Sequence, residues 1–296
     1  MGVIKKILFR WKKDIALVKT LTLSTTSNLA TWSPFSVTNL GSTLTWKATG
    51  GVTETIIADD PTFNLSTNVG TVNFEVYDVS DVTVFKVASL SPNLEIASID
   101  VSDATELLDL HTGFNTSITS LDVTNNTLLT TLRCNGNSIT TLDLTNNTAL
   151  TILGCYGTNL TSIDLSNNVL LNNVRVDNTS SLTSINLTNC SSIDYFGCES
   201  TSISTLDLTD CTSLTYLRAE DTLLTTLDIS NNTLIDTLVC FGNSFSSTVT
   251  NSILASLVSH GLSNGILSYR NNETGQGVTD RATLVTRGWS ITNYAT

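Results

Sequence analysis

The sequence predicts a mainly β protein: a solenoid of short parallel strands in two sheets, with a small β-sandwich before it and an α/β cap after it. The first observation is a repeat of 21 to 22 residues in the centre of the chain. The second is a run of Thr- and Val-rich segments before the repeat, in which apolar and polar residues alternate. The third is a helical pattern after the repeat, where the period breaks. The predicted divisions are 1–19, 20–93, 94–247 and 248–296.

Residues 1–19 have the pattern of a short basic amphipathic helix. Apolar residues recur every three to four positions from Ile4 to Val18, with lysine and arginine between them. The segment carries a net charge of +5 and the rest of the chain −17, which predicts an anchoring arm on an acidic body. Three alternatives stay open: a helix that packs on its own body or on a partner protein, a helix on an anionic membrane surface, and a disordered segment. The predicted anchoring residues are Lys5, Lys6, Arg10, Trp11, Lys12 and Lys13.

Residues 20–93 contain short segments that are typical of β-strands. They are TLTLSTT, STLTWKATG, ETIIADD, VNFEVYDV and VTVFKVA, and they are separated by Gly, Pro, Asn and Asp. Several short strands in so few residues predict a small β-sandwich. The stretch from Leu44 to Val79 resembles a PKD-like or immunoglobulin-like module of bacterial surface proteins, and this resemblance implies no functional residues.

The repeats are marked by two apolar series that share the spacings 21, 21, 22, 21 and 21. Three-letter strings such as LDL and IDL begin at Leu121, Leu142, Ile163, Ile185, Leu206 and Leu227. The second series is Leu132, Leu153, Val174, Phe196, Leu217 and Leu238. With an imperfect earlier copy that begins at Ile99, the pattern predicts about seven coils over residues 94–247.

Each copy holds the pattern L-x-x-L-x-L-x-x-N twice, for example Leu224-x-x-Leu227-x-Ile229-x-x-Asn232. This resembles the leucine-rich-repeat family, in particular the short LxxLDLSNN-type repeats of Bacteroidetes surface and phage proteins. The resemblance covers about residues 94–247 and implies a solenoid. Because each half-repeat has room for a strand and a turn but not for a helix, we expect short parallel strands on both faces.

Stacked coils place equivalent residues in columns about 4.8 Å apart. The cysteines fall in two such columns, which predicts small buried thiols rather than disulfides or a zinc site. Four of them share one inward position: Cys134, Cys155, Cys198 and Cys240. The other two occupy a turn position shared with Asn126, Asn147, Asn168 and Asn232: Cys190 and Cys211. The amides of these asparagines are predicted to bond to the backbone of the adjacent turn.

One outward face is uniform, with an acidic column followed two residues later by Thr or Ser. Its members are Asp122, Asp143, Asp164, Asn186, Asp207 and Asp228. Stacked carboxylates repel, so either water and salt screen them or a cation lies among them. We predict no metal site, since a flat ladder does not supply the six or more converging oxygens that calcium needs.

The opposite face varies between copies, and its residue types include those that anchor interfaces. Two interpretations stay open: neutral drift on a solvated face, and a strip that contacts a ligand. The predicted ligand-binding residues are Arg133, Tyr156, Arg175, Asp177, Glu199, Arg218, Glu220 and Phe241.

Residues 248–296 are predicted to cap the last coil. The stretch TVTNSILASLVSHG predicts a helix that stops at Gly261, followed by a strand at Ile266–Tyr269 and a helix near Asp280–Thr286. Trp289 is predicted to seal the core.

The residues give little sign of chemistry. The two histidines, His111 and His260, lie near no nucleophile motif, and no phosphate-loop, dinucleotide or H-E-x-x-H motif is present. The net charge of −12 with 14 Lys and Arg argues against nucleic-acid binding. We therefore predict a binding protein, without catalysis, cofactor or metal.

For the biological role we expect a virion surface protein of a bacteriophage, of spike or tail-fibre type, that attaches to its host. The composition is rich in Thr, Ser and Asn, yet no secretory signal or membrane-spanning run is visible. The expected partners are other virion proteins through the N-terminal segment and a host surface protein or glycan. The alternatives are a bacterial cell-surface adhesin or protein-interaction module, and a purely structural virion spacer. The oligomeric state and the receptor stay open.

Overall fold

The computed structural model describes residues 20–25, 35–39, 45–50, 54–57, 72–77, 82–87 and 96–294; in the first six ranges it describes the strand backbone alone. The predicted anchoring helix of residues 1–19 lies outside the described residues. No helix in the described part of the chain is both long and apolar enough to cross a membrane.

Six strands precede the repeats: β1 (Thr20–Thr25), β2 (Phe35–Asn39), β3 (Thr45–Gly50), β4 (Glu54–Ile57), β5 (Val72–Tyr77) and β6 (Val82–Val87). Five of them lie in the predicted strand segments, whereas β2 follows Pro34 and lies between two of these segments. One antiparallel sheet has the order β4-β3-β5-β1-β7, where β7 is Ser98–Asp100. The packing of a sandwich and the PKD-like or immunoglobulin-like resemblance stay predictions.

The repeats form one parallel sheet of three-residue strands, stacked in register. These strands are β8 (Asp109–His111), β9 (Thr131–Arg133), β10 (Ile152–Gly154), β12 (Asn173–Arg175), β14 (Tyr195–Gly197), β15 (Tyr216–Arg218) and β16 (Thr237–Val239). The N-terminal strands join this sheet, because β6 pairs in parallel with β8 and Phe85 falls opposite Leu110. The strand before the repeats thus occupies the place of a preceding coil.

The prediction of strands on both faces is only partly right. On the uniform face, the repeats form a single pair of strands, β11 (Ser162–Asp164) and β13 (Ser184–Asn186). In the neighbouring coils the aspartate side chain accepts the N–H of the residue two positions on, as Asp143 does from Thr145 at 2.9 Å. The same bond is made by Asp164 of β11 and Asn186 of β13, so this turn is common to coils with and without a strand on the uniform face.

The two predicted apolar columns form the core. The column from Leu132 to Leu238 is fully buried, and the column from Leu121 to Leu227 is buried except at Ile185 and Leu206, which are partly covered. All six cysteines are buried and free, as predicted. The turn asparagines also behave as predicted, since each donates its amide to two carbonyls of the preceding coil.

After the repeats, the sheet continues although the sequence period breaks. Helix α1 (Ser247–His260) ends at Gly261, as predicted, because Gly261 adopts the left-handed conformation with φ 78°. Strand β17 (Ile266–Arg270) pairs with β16, helix α2 (Gln276–Thr286) follows, and β18 (Ser290–Tyr294) pairs with β17. The full order is β18-β17-β16-β15-β14-β12-β10-β9-β8-β6-β2.

The core continues through this C-terminal region as well. Leu267 extends the buried column of Leu238, and Trp289 is buried with its indole N–H donating to the carbonyl of Leu262 at 3.1 Å. The capping role of these residues stays a prediction.

Candidate functional site

The long parallel sheet, which contains β8 to β18 except β11 and β13, presents three outward columns. We call these columns the variable face. Along each coil the outward residues alternate with inward ones, so they are the first and third residues of each strand and the residue two positions further on. In the third strand residue's column, arginine and glycine alternate: Arg133, Gly154, Arg175, Gly197 and Arg218. Acidic residues follow one another in the last column: Asp177, Glu199 and Glu220.

The centre of the variable face is organised around Arg175. Its Nε donates to Oδ2 of Asp177 at 2.9 Å, and its guanidinium carbon lies 4.9 Å from the ring centroid of Tyr156. Asp177 is fully buried, and this burial raises its carboxyl pKa although Arg175 opposes the effect. Because Arg175 is held by both neighbours and its side chain stays 41% exposed, it presents a fixed guanidinium to solvent.

A second charged group surrounds Arg218, two coils further on. Its Nε and Nη2 both donate to Oε1 of Glu220, at 3.1 and 2.6 Å, and Nη2 also pairs with Glu199. Glu220 is buried, whereas Arg218 remains 30% exposed. Six of the eight predicted binding residues therefore form two neighbouring networks across four coils: Tyr156, Arg175, Asp177, Glu199, Arg218 and Glu220.

The two glycines between the arginines have a structural reason. A β-carbon at Gly154 would lie 2.7 Å from Oδ1 of Asn135, and one at Gly197 would overlap the carboxylate of Asp177. The side chain of one coil therefore leans over the glycine of the next. A larger residue at Gly154 or Gly197 would therefore require the neighbouring side chain, Asn135 or Asp177, to move.

Two tyrosines belong to this surface and were missed in the sequence. The rings of Tyr195 and Tyr216 stack with centroids 4.9 Å apart, in the first outward column of β14 and β15. Burial raises the pKa of the Tyr195 hydroxyl, which also contacts Arg218. The period-2 alternation that identified Arg175 and Arg218 also points to positions two residues earlier, so extending it would have found both tyrosines.

The other two predicted residues lie at the borders of this centre. Nη1 of Arg133 lies 2.5 Å from Nε2 of His111. The same Nε2 lies 2.8 Å from Oδ1 of Asp109. Phe241 stacks on Tyr294 of the last strand, with ring centroids 4.1 Å apart. The structure thus places all eight predicted residues on one face. Hydrogen bonds, ion pairs and a cation–π contact connect the central six into the two networks.

On the uniform face, the acidic column serves its own turns. Seven copies accept the N–H of the Thr or Ser two residues on, at 2.9 to 3.1 Å. Hydrogen bonds from the hydroxyl and the N–H of these Thr and Ser residues lower the carboxyl pKa of Asp122, Asp143, Asp164, Asp207 and Asp228. The first coils of this face line an open groove of about 570 Å³, bordered by Asp100, Asp122 and Asp143. Among residues 96–294, no three His, Cys, Asp or Glu side chains converge as metal ligands would.

No protein-family model matches the chain, and no curated protein is significantly similar to it. Solved structures do resemble it. Internalin C2 from Listeria monocytogenes is 18% identical, and the match covers 57% of this chain and 75% of that one with a TM-score of 0.50. The functional domain of InlJ from the same organism, which includes a cysteine ladder, is 24% identical over 65% of this chain and 47% of that one, with a TM-score of 0.47.

A leucine-rich-repeat protein of Leptospira interrogans is 15% identical, over 70% of each chain, with a TM-score of 0.35. The match thus spans about half of the InlJ domain and more of the others. These neighbours are leucine-rich-repeat proteins, and the likeness to internalin C2 shows that this chain has the leucine-rich-repeat fold. At these identities the likeness extends to the fold alone.

Proposed function

We propose that this chain, with its leucine-rich-repeat fold, is a protein-interaction module that binds a partner through the centre of the variable face. The observation that carries the proposal is the pair of networks around Arg175 and Arg218. They hold exposed guanidiniums and tyrosine rings in fixed positions on a hydrogen-bonded sheet. Tyrosine and arginine are enriched at the energetic centres of interfaces, and fixed side chains lose less entropy on binding.

The uniform face supports the choice of the variable face. Its acidic column is used by its own turns, and the same bond recurs in seven coils. A column that repeats one structural contact carries little information about a partner. The variable face, in contrast, combines different residue types within about 15 Å, the height of three coil spacings.

The direct test is site-specific photo-crosslinking of the full chain in the cells or particles that produce it. A benzoylphenylalanine at position 216, in place of Tyr216, should give discrete adducts. The same residue in place of Asp143, on the uniform face, should give few. Equal labelling from both positions, or no adduct from position 216, would contradict the proposal. Replacement of Tyr156 and Phe241 by alanine and of Arg175 by lysine, which keeps a cation beside the buried Asp177, should strongly reduce the specific adducts while circular dichroism shows that the fold is retained.

We infer two settings for such a module, a bacterial cell surface or a virion surface. The first corresponds to an adhesin. The second, a phage spike or tail-fibre-type protein with a basic anchoring arm, is supported by composition and by the +5 charge of residues 1–19. Fractionation separates the two, since the virion proposal requires the chain in purified particles. It also requires the purified protein to block particle adsorption, and the triple variant to lose that effect.

A further inference from the structure

The carboxylates at the centre of the variable face outnumber the guanidiniums that pair with them. Asp177, Glu199 and Glu220 occupy successive coils, and backbone hydrogen bonds join the turn after each of the first two to the next coil. Asp177 pairs with Arg175, and both glutamates pair with Arg218. The local excess is one negative charge, within a chain of net charge −12. A cationic group from outside would therefore be attracted both locally and at longer range.

Two buried oxygens of this cluster accept no hydrogen bond from the part of the chain that the structure describes. Oδ1 of Asp177 and Oε2 of Glu220 are unpaired, although the other oxygen of each carboxylate is bonded to an arginine. Both side chains are more than nine-tenths buried. A buried carboxylate oxygen that lacks a donor is costly, so these atoms favour any ligand that brings one.

These oxygens belong to the outer side of the sheet, not to the core. Oδ1 of Asp177 lies where the β-carbon of Gly197 would project, and Gly197 is an outward position of β14. Among residues 96–294, the charged side chains bonded to the two carboxylates are Arg175 and Arg218, which are 41% and 30% exposed.

The same face already shows how it holds a cationic side chain. The guanidinium of Arg175 lies over the ring of Tyr156 and donates to Asp177, which combines a ring face with a carboxylate. The stacked pair Tyr195 and Tyr216 offers a second aromatic surface on the same two coils as Glu199 and Glu220. The hydroxyl of Tyr195 contacts Arg218, which pairs with both glutamates. Within residues 96–294, Arg175 over Tyr156 is the one cation positioned over an aromatic ring.

We propose that the surface formed by Tyr195, Tyr216, Glu199 and Glu220 binds a lysine or arginine side chain of a partner protein. This inference rests on the proposed function, because it specifies what the variable face recognises. The unpaired groups are acceptors that cannot donate, so they match an ammonium or guanidinium group, which donates alone. The tyrosine rings supply the apolar and cation–π contact that selects such a side chain.

The test uses fluorescence anisotropy with a labelled hexa-arginine peptide and the full chain. Hexaglutamate and a neutral hexasaccharide serve as the competing probes. Glu199→Gln should weaken hexa-arginine binding about tenfold, since it removes one carboxylate charge and leaves the shape nearly unchanged. Tyr216→Thr should also weaken it several-fold, and Thr occupies the same column naturally at Thr131 and Thr237.

Asp143→Asn is the matched control, because it removes one negative charge from the opposite face. Asn186 stands in that column naturally and makes the same turn bond, so the control should keep the fold and the affinity. Equal weakening by Glu199→Gln and Asp143→Asn would mean that the net charge alone attracts the peptide, and would overturn the proposal. Preference for hexaglutamate or the hexasaccharide, or no binding of hexa-arginine, would also overturn it. Adducts from position 216 in the crosslinking experiment would then still support the proposed function.

Discussion

The carboxylate of Asp177 lies over the α-carbon of Gly197 in the next coil, in the space that a β-carbon would fill. An added β-carbon would be 3.1 Å from Cγ of Asp177 and closer still to Oδ1. The glycine is therefore required by its neighbour in the stack, although its own backbone has no positive φ. Two columns of the variable face are coupled through this contact.

Gly197→Ala should destabilise the protein by about 1–3 kcal/mol, because Asp177 must move and its bond to Arg175 is strained. Chemical denaturation followed by circular dichroism measures the loss. In an Asp177→Ala background the same glycine replacement should cost much less, so the double-mutant cycle should give a clear coupling energy. Additive effects of the two changes would show that the contact does not constrain position 197.

The turn asparagines give a second prediction. Asn147 donates its amide to the carbonyls of Val123 at 3.0 Å and Asn126 at 2.9 Å, both in the preceding coil. Asn147→Ala removes one of the two donors to each carbonyl, since Val123 still accepts the N–H of Asn126 and Asn126 that of Leu129. We therefore expect the loss of two hydrogen bonds, about 1–3 kcal/mol of unfolding free energy. The alanine also removes the unpaired Oδ1 of Asn147, which keeps the loss below that of two full hydrogen bonds.

Asn147→Cys is the informative comparison. Cys190 occupies the same column, and its thiol contacts the carbonyl of Leu165 at 3.4 Å, so cysteine keeps one weak bond to the preceding coil. The cysteine variant should lose less stability than the alanine variant in equilibrium urea unfolding. If both lose equally, packing rather than hydrogen bonding sets the preference for Asn or Cys in this column.

The acidic column of the uniform face predicts a response to acid. Hydrogen bonds from Thr145 hold the pKa of Asp143 below its usual range, and the same holds for its equivalents in other coils. A carboxyl whose pKa is lower in the folded state contributes stability above its unfolded pKa of about 3.9 and loses it as the pH falls through the folded value. The unfolding free energy should therefore decline below about pH 4.

Asp143→Asn tests this assignment, because the amide oxygen accepts the same turn N–H without titrating. The variant should match the parent at neutral pH and show a shallower decline in acid. Asp143→Ala should lose stability already at pH 7, since the N–H of Thr145 loses its acceptor. An acid response that is unchanged in Asp143→Asn would place the titrating groups elsewhere.

The repeat made much of this fold predictable. The fixed spacing of Leu132 and Leu153 identified which residues point inward, and the structure buries both. Gly261 marked the end of the first helix correctly, because only a few residue types adopt the left-handed conformation there without strain. Such features depend on local sequence and on stacking, which the period describes directly.

What the sequence did not predict depends on contacts between columns. The period gave the neighbours of Asp177 and Gly197 but not the direction in which the carboxylate leans. Pairing of Arg218 with two glutamates likewise depends on side-chain rotamers across adjacent coils. The repeat likewise did not distinguish β11 and β13 from the equivalent segments of other coils, because both groups carry the same turn bond.

The buried thiols give the last prediction, a loss of stability in alkali. Burial raises the thiol pKa of Cys134 and Cys240 to about 12 and that of Cys190 to about 11. In the unfolded chain a thiol ionises near pH 8.5, so the unfolded state releases protons that the folded state keeps. The stability that the buried thiols contribute is therefore intact below about pH 8.5, and it is lost as the pH rises toward their pKa values in the folded state. Each thiol should lower the unfolding free energy by up to about 1.4 kcal/mol per pH unit in this range.

Cys190→Asn with Cys211→Asn isolates this effect, because asparagine is the usual residue of their column and does not titrate. Urea unfolding is measured under reducing conditions at about pH 8.5, 9.5 and 10.5, a range that begins at the thiol pKa of the unfolded chain. The alkaline slope of the unfolding free energy should be shallower for the double variant than for the parent. Lysine and tyrosine titration is common to both proteins and cancels in the difference. Iodoacetamide should label the six thiols of the native parent slowly, and quickly after denaturation, because the reactive thiolate is suppressed by burial. Fast labelling of the native protein, or equal alkaline slopes, would show that these thiols ionise in the folded state.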